Sequence, residues 1–247
     1  LSLLSKGMAA SLAVTLFAID YFANRKLLST RVLIEKIPFF VLAIIFGIIA
    51  VKAQRTSGAL ADKITYPFYE QITFATYGFV QYIVKLIAPL KLSAFYAYPP
   101  KPDGTIPYYY WFFPLGAIAA ILAFIRAVKK SKKIIAFSIL FFVINIFLVL
   151  QLIPVGNAIM ADRYSYLPSI GFFILVAYGF KKLVENYKSL YIPLFVVFGL
   201  YVGGLSYLTF ERTKIWENSL TLWNDVLEQY HNVPAAWNNR GNALKDE

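Results

Sequence analysis

The sequence predicts an all-α, polytopic membrane protein of about six transmembrane helices plus one interfacial helix, followed by the opening of a soluble helical repeat. Three observations predict it. Apolar residues make up 59% of the chain and charged residues only 15%, against about 25% charged in an ordinary soluble domain. Apolar runs recur at bilayer length, since a helix needs roughly 20 residues to cross a hydrocarbon core of ~30 Å. Finally, the basic residues gather in short loops between those runs, where orientation signals belong.

The runs fall at 8–23, 33–53, 108–125, 134–153, 168–184 and 190–210. The loop 24–36 holds Arg25, Lys26, Arg31 and Lys36; the loop 126–133 holds Arg126, Lys129, Lys130, Lys132 and Lys133; the loop 181–188 holds Lys181, Lys182 and Lys188. The positive-inside rule makes these three loops cytoplasmic. The segment 72–90, ITFATYGFVQYIVKLIAPL, is long enough to cross, yet a crossing there would export the five cations at 126–133. It is therefore expected to be an interfacial or re-entrant helix on the extracytoplasmic side, a position that suits Gln81, Lys85 and its tyrosines. The run YYYWFF, Tyr108 to Phe113, reads as an aromatic belt where the next span begins.

Several function classes are excluded by composition. The balance of 24 Lys plus Arg against 13 Asp plus Glu is absorbed by topology, so no nucleic-acid partner is expected. With no cysteine and a single histidine, His231, in a polar segment, thiolate sites, multi-histidine metal sites and a Ser-His-Asp triad are ruled out within this sequence. The opening LSLLSKGMAA has neither initiator Met, basic leader nor cleavage site, and the closing NNRGNALKDE stops inside a helical pattern. The sequence is therefore expected to continue beyond both ends.

From Lys214 the composition turns polar, dividing the chain into a membrane part, 1–213, and a repeat part, 214–247. Leu220, Trp223, Val226 and Leu227 recur at helical spacing, and Pro234 marks the next helix start. Trp237, Gly241 and Leu244 then follow the spacing of the first helix of a tetratricopeptide repeat, with Arg240 where that pattern prefers Leu. Trp216, Trp223 and Trp237 are expected to pack these helices.

The blocks LLSKGMAASLAVTLFAIDY, IEKIPFF, FATYGFVQYIVKLIAPLKLSAFYAYP, NAIMADRYSYLPSIGFF and WENSLTLWNDVLEQ…NVPAAWNNRG occur in order. They resemble bacterial relatives of the transmembrane and tetratricopeptide repeat O-mannosyltransferases, over the C-terminal half of the membrane domain and the first repeat. The resemblance implies a glycosyltransferase of the C superfold that takes a sugar from a polyprenyl-phosphate donor and passes it to a protein acceptor outside the cytoplasm. It implies acidic catalytic residues in a first extracytoplasmic loop, to which nothing here corresponds. Gly7 stands where relatives are expected to carry Glu or Pro, so a role for a Glu there does not carry over.

Transfer from a lipid phosphate needs a base near the acceptor and cations at the departing phosphate. Arg163 offers a planar fork for phosphate at the extracytoplasmic membrane surface; its bland alternative is a carboxylate or headgroup partner that fixes the loop. Asp162 is an orienting partner, a base or a metal ligand, since an acid so near the bilayer is costly unless paired. Tyr164 and Tyr166 share a face if the loop is extended, and either bond the donor or anchor at the interface. Lys85 and Lys6 could each reach a lipid phosphate as a point charge, or snorkel to the surface. Asn157 is a polar loop residue, and Pro168 starts the following helix. Asp20, beside Arg25 and Lys26, reads as a helix-end ion pair, and AYPPKPDGTIPYYY as a Pro-rich turn segment. No cofactor is assigned, and a divalent metal is left open. The competing reading is a non-catalytic, membrane-anchored tetratricopeptide scaffold for protein partners. A transporter fits less well, because the spans hold few deep charges and no paired broken helices.

Overall fold

The computed structural model describes residues 2–5, 7–56, 66–101, 104–130, 132–152 and 158–245. Among the described residues the architecture is all-α apart from one pair of short strands. A short helix α1 (Ser2–Ser5) and a 3-10 turn, Gly7–Ala10, lead into α2 (Ser11–Phe22), followed by α3 (Thr30–Thr56) and α4 (Phe68–Ile87). After the strand β1 (Tyr96–Ala97) come α5 (Phe113–Lys130) and α6 (Lys133–Phe147), and after β2 (Ala158–Met160) come α7 (Tyr166–Asn186) and α8 (Tyr191–Thr213). The pair α9 (Ser219–Gln229) and α10 (Pro234–Lys245) completes the described chain.

Among the described residues, four helical stretches are long and apolar enough to cross a membrane: Thr30–Ala53, Tyr108–Arg126, Asp162–Asn186 and Lys188–Trp216. The expected runs 8–23 and 134–153 are instead the shorter apolar helices Gly7–Phe22 and Lys133–Phe147. The second stops early because the chain turns at 148–150 and Gln151 adopts a left-handed φ of 56°, which no helix can continue through. Long apolar side chains on the spans face outward, as bilayer-facing surface should. These are the proportions of an integral membrane protein.

The most extensive helix contact is between α6 and α7, and α6 also packs against α2. Gly171 permits the first: a Cβ placed there would lie 2.5 Å from the Ser138 carbonyl oxygen and 2.8 Å from the Phe142 nitrogen. The second contact is joined by polar groups, Ser11 donating to Asn145 Oδ1 at 2.8 Å and Thr15 to the same oxygen at 3.3 Å. Such interhelical bonds contribute about 1 kcal/mol each in a membrane. Asp20 pairs with Arg25 at 2.9 Å, as expected, but its second cation is Lys36 from α3. Arg25 also reaches Glu35, so this group neutralises itself.

The basic loops meet at one end of the bundle, where Lys133 donates to Asn24 and lies over the Tyr21 ring, and Lys132 is close enough to act on Glu185. Opposite them lies a layer of loops. Both ends of α4 reach that layer: Glu70 pairs with Lys101 at 2.5 Å and Tyr69 stacks on Trp111, while Lys85 bonds the carbonyls of residues 90 and 91. The helix is therefore tied to this layer at both of its ends. Its buried face carries Phe74, Gly78 and Tyr82, and Phe74 packs edge-on against Tyr66, Tyr98 and Tyr110. Such aromatic pairs add roughly 0.5–1.5 kcal/mol beyond their buried area.

Candidate functional site

The site is built on the antiparallel pairing of β1 with β2, which sets Tyr96 against Met160 and Ala97 against Ala158. These strands are absent from the sequence-based expectation, because two or three residues carry too little periodicity to register. From β2 the chain passes through Ala161 into a 3-10 turn, Asp162–Ser165, and then into α7. The turn is fixed by Ser165 donating to the Asp162 carbonyl at 2.8 Å and by the Ala161 amide donating to the Tyr82 hydroxyl at 3.2 Å.

This corrects one expectation. The loop is not extended, so Tyr164 and Tyr166 do not act as a matched pair: Tyr164 packs against the aromatic core, whereas Tyr166 is 83% exposed at the head of α7. Pro168 lies within the first turn of α7 and is buried. Lys6 and Asn157 lie outside the described residues.

Asp162 is paired. The Tyr96 hydroxyl donates to its Oδ1 at 2.7 Å, and the Ser93 amide donates to the same hydroxyl at 2.9 Å. Burial, and then the Asp162 charge, push the Tyr96 phenol well above its ordinary value, so it remains a donor. Sequence reasoning missed Tyr96, because β1 is only two residues long and shows no alternation that would single it out.

Lys85 does not simply snorkel outward. Its Nζ folds over the end of α4 onto the carbonyls of Leu90, at 3.1 Å, and Lys91, at 3.0 Å, and lies 5.0 Å from the Tyr96 ring centre. Burial holds this ammonium below the ordinary lysine value, with the Asp162 charge acting in the opposite direction. Arg163 is exposed; its Nη1 donates to the Ala94 carbonyl at 3.0 Å and its guanidinium lies over the Tyr164 ring, 5.1 Å from the centre. A guanidinium has five donors, and an exposed one keeps several for an external anion.

The structure thus brings together Lys85, Asp162, Arg163 and Tyr164, and adds Tyr96. Both cations hang from one loop segment, 90–94. Among the described residues, no group of three His, Cys, Asp or Glu side chains could hold a metal ion. The three tryptophans after residue 213 divide: Trp223 packs beside Phe95, while Trp216 and Trp237 are 45% and 52% exposed. Arg240, the departure from the repeat pattern, bonds Asn224 on α9 at 2.7 Å.

The chain is similar to Protein O-mannosyl-transferase TMTC3 of Homo sapiens, 38% identical over 95 residues that cover 38% of this chain and 10% of that protein. It is similar to Protein O-mannosyl-transferase Tmtc2 of Drosophila melanogaster, 31% identical over 107 residues, 41% of this chain and 11% of the fly protein. A protein O-mannosyl-transferase of Caenorhabditis elegans aligns over 243 residues at 25% identity, 92% of this chain and 32% of the worm protein. The chain thus spans a minor part of each of these curated relatives. They are animal proteins, whereas the resemblance read from the sequence pointed to bacterial ones. No family model and no solved structure matches the chain.

Proposed function

We propose that this chain forms part of a membrane glycosyltransferase that moves a sugar from a polyprenyl-phosphate donor to a protein acceptor on the extracytoplasmic side. The names of its relatives support sugar transfer to protein. The observation that carries the lipid-phosphate assignment is the convergence of Lys85 and Arg163, from two separate elements, on the loop segment 90–94 beside Asp162. A departing lipid phosphate carries charge that fixed cations stabilise without reorganisation. Arg163 supplies a fork for two phosphate oxygens, Lys85 a point charge. Asp162, already occupied by Tyr96, orients this layer and is not assigned as the base. The basic loops collected at the opposite end support an extracytoplasmic position for the site. The α9–α10 pair is read as the first part of a tetratricopeptide array that presents the acceptor.

Binding of polyprenyl phosphate to the purified chain in detergent tests this reading. Arg163→Ala should weaken it by roughly tenfold to a hundredfold, the loss of one charged hydrogen-bonded contact of about 1.5–3 kcal/mol. An unchanged affinity in folded protein rejects the role of Arg163. If the wild type neither binds polyprenyl phosphate nor transfers sugar, the scaffold reading replaces this one.

A further inference from the structure

Residues 92–97 face two ways. Toward the bundle, the Ala94 carbonyl accepts from Arg163 and the Tyr96 hydroxyl donates to Asp162. Toward the C-terminal helices, the Ala94 side chain is buried in a cluster with Val226, Leu227, Val233 and Ala236. The Phe95 ring centre lies 6.4 Å from that of Trp223, the Tyr96 ring 6.3 Å from that of Tyr230, and the Leu92 carbonyl accepts from Gln229 at 2.9 Å. The residues that hold the candidate site are themselves held by α9 and α10.

Local structure explains why they need holding. β1 has two residues, one partner strand and an irregular register, and a two-stranded pairing of this kind is marginal by itself. Its free face requires support, which the helix pair supplies. The pair is fixed in turn to the end of α8, where Arg212 grips Asp225 through two bonds of 2.8 Å, one on each carboxylate oxygen.

We infer that the α9–α10 pair is a positioning element for the Asp162–Arg163 site, acting through the strap 92–97. Trp223 and Gln229 are its positioning residues: they touch the strap rather than the pair it holds. A protein ligand that shifts α9–α10 therefore alters the affinity of the site for lipid phosphate, and lipid phosphate alters the affinity for that ligand by the same factor. The functional consequence rests on the lipid-phosphate reading, while the mechanical coupling does not.

Hydrogen exchange of the full chain, read by mass spectrometry, separates the two. In Trp223→Ala, amides in 92–97 and also in 158–165 should exchange at least about tenfold faster, with α2 and α6 unchanged, because local opening frees both faces of the strap together. Trp223→Phe keeps a ring against Phe95 and should restore most of the protection. Full protection of 158–165 while 92–97 is freed, or no change in either segment, overturns the inference. Where Trp223→Ala also loses protection in α2 and α6, Gln229→Ala, at an exposed position, decides by the same two segments. Polyprenyl phosphate in detergent is the second probe, and its affinity should fall severalfold in Trp223→Ala. If the wild type binds none, the lipid-phosphate assignment fails and the exchange result still decides the coupling.

Discussion

Two glycines on α7 allow the packing argument to be tested by one substitution at two places. At Gly171 an added Cβ would lie 2.5 Å from the Ser138 oxygen, where ordinary contact begins at 3.4 Å, so the shortfall is 0.9 Å (3.4 minus 2.5). The Phe142 nitrogen at 2.8 Å blocks the same methyl group. Both obstacles are backbone, which cannot rotate away, so α6 and α7 must separate. Forced overpacking of this kind costs typically about 1–3 kcal/mol. At Gly179 nothing lies within 4 Å, and Gly→Ala inside a helix is favourable by roughly 0.5–1 kcal/mol. The two alanine variants should therefore differ by about 1.5–4 kcal/mol. At roughly 2–4 °C per kcal/mol for a chain of this size, the gap in melting temperature is about 3–16 °C, read by circular dichroism in one detergent. Equal melting temperatures for Gly171→Ala and Gly179→Ala would show that α6 and α7 do not approach as closely as described. Because α7 begins just after the Asp162 turn, Gly171→Ala should also weaken polyprenyl-phosphate binding, whereas Gly179→Ala should not.

Two further expectations concern the site. Burial favours the neutral amine of Lys85, so its proton leaves below the ordinary value of 10.5; attraction for phosphate is present below that lowered value and lost as pH rises through it. Lys85→Arg, which stays charged, should retain affinity to higher pH, and an alkaline fall unaffected by that change would remove Lys85 from the site. Tyr96→Phe leaves Asp162 without its tyrosine donor and the Ser93 amide without its acceptor. This should cost about 1–3 kcal/mol in denaturant unfolding; if Asp162→Asn adds its full separate cost in the double variant, the two side chains are not coupled.

The site was partly legible in the sequence. Asp162 and Arg163 stood out because charges between apolar runs are expensive and so mark positions with partners. Lys85 followed from placing α4 at the interface. Tyr96 and Ala94 escaped notice because neither is unusual among so many tyrosines and alanines; their roles arise from a strand too short to show a period. Trp237, expected to pack, is exposed because its spacing along α10 says nothing about which neighbour covers it.

The sequence by itself determined that the chain is helical and of membrane-protein character, and that its basic residues gather in loops that share one end. These follow from hydropathy and charge, which act on each segment independently of its neighbours. Only the tertiary structure decided where α6 ends, which cation completes the Asp20 pair, and that the loop before α7 is a tight turn paired with a distant strand. It also decided that the α9–α10 pair supports the loop holding Arg163. Each of these depends on contacts between residues tens of positions apart, whose free energy exists only once the chain has brought them together.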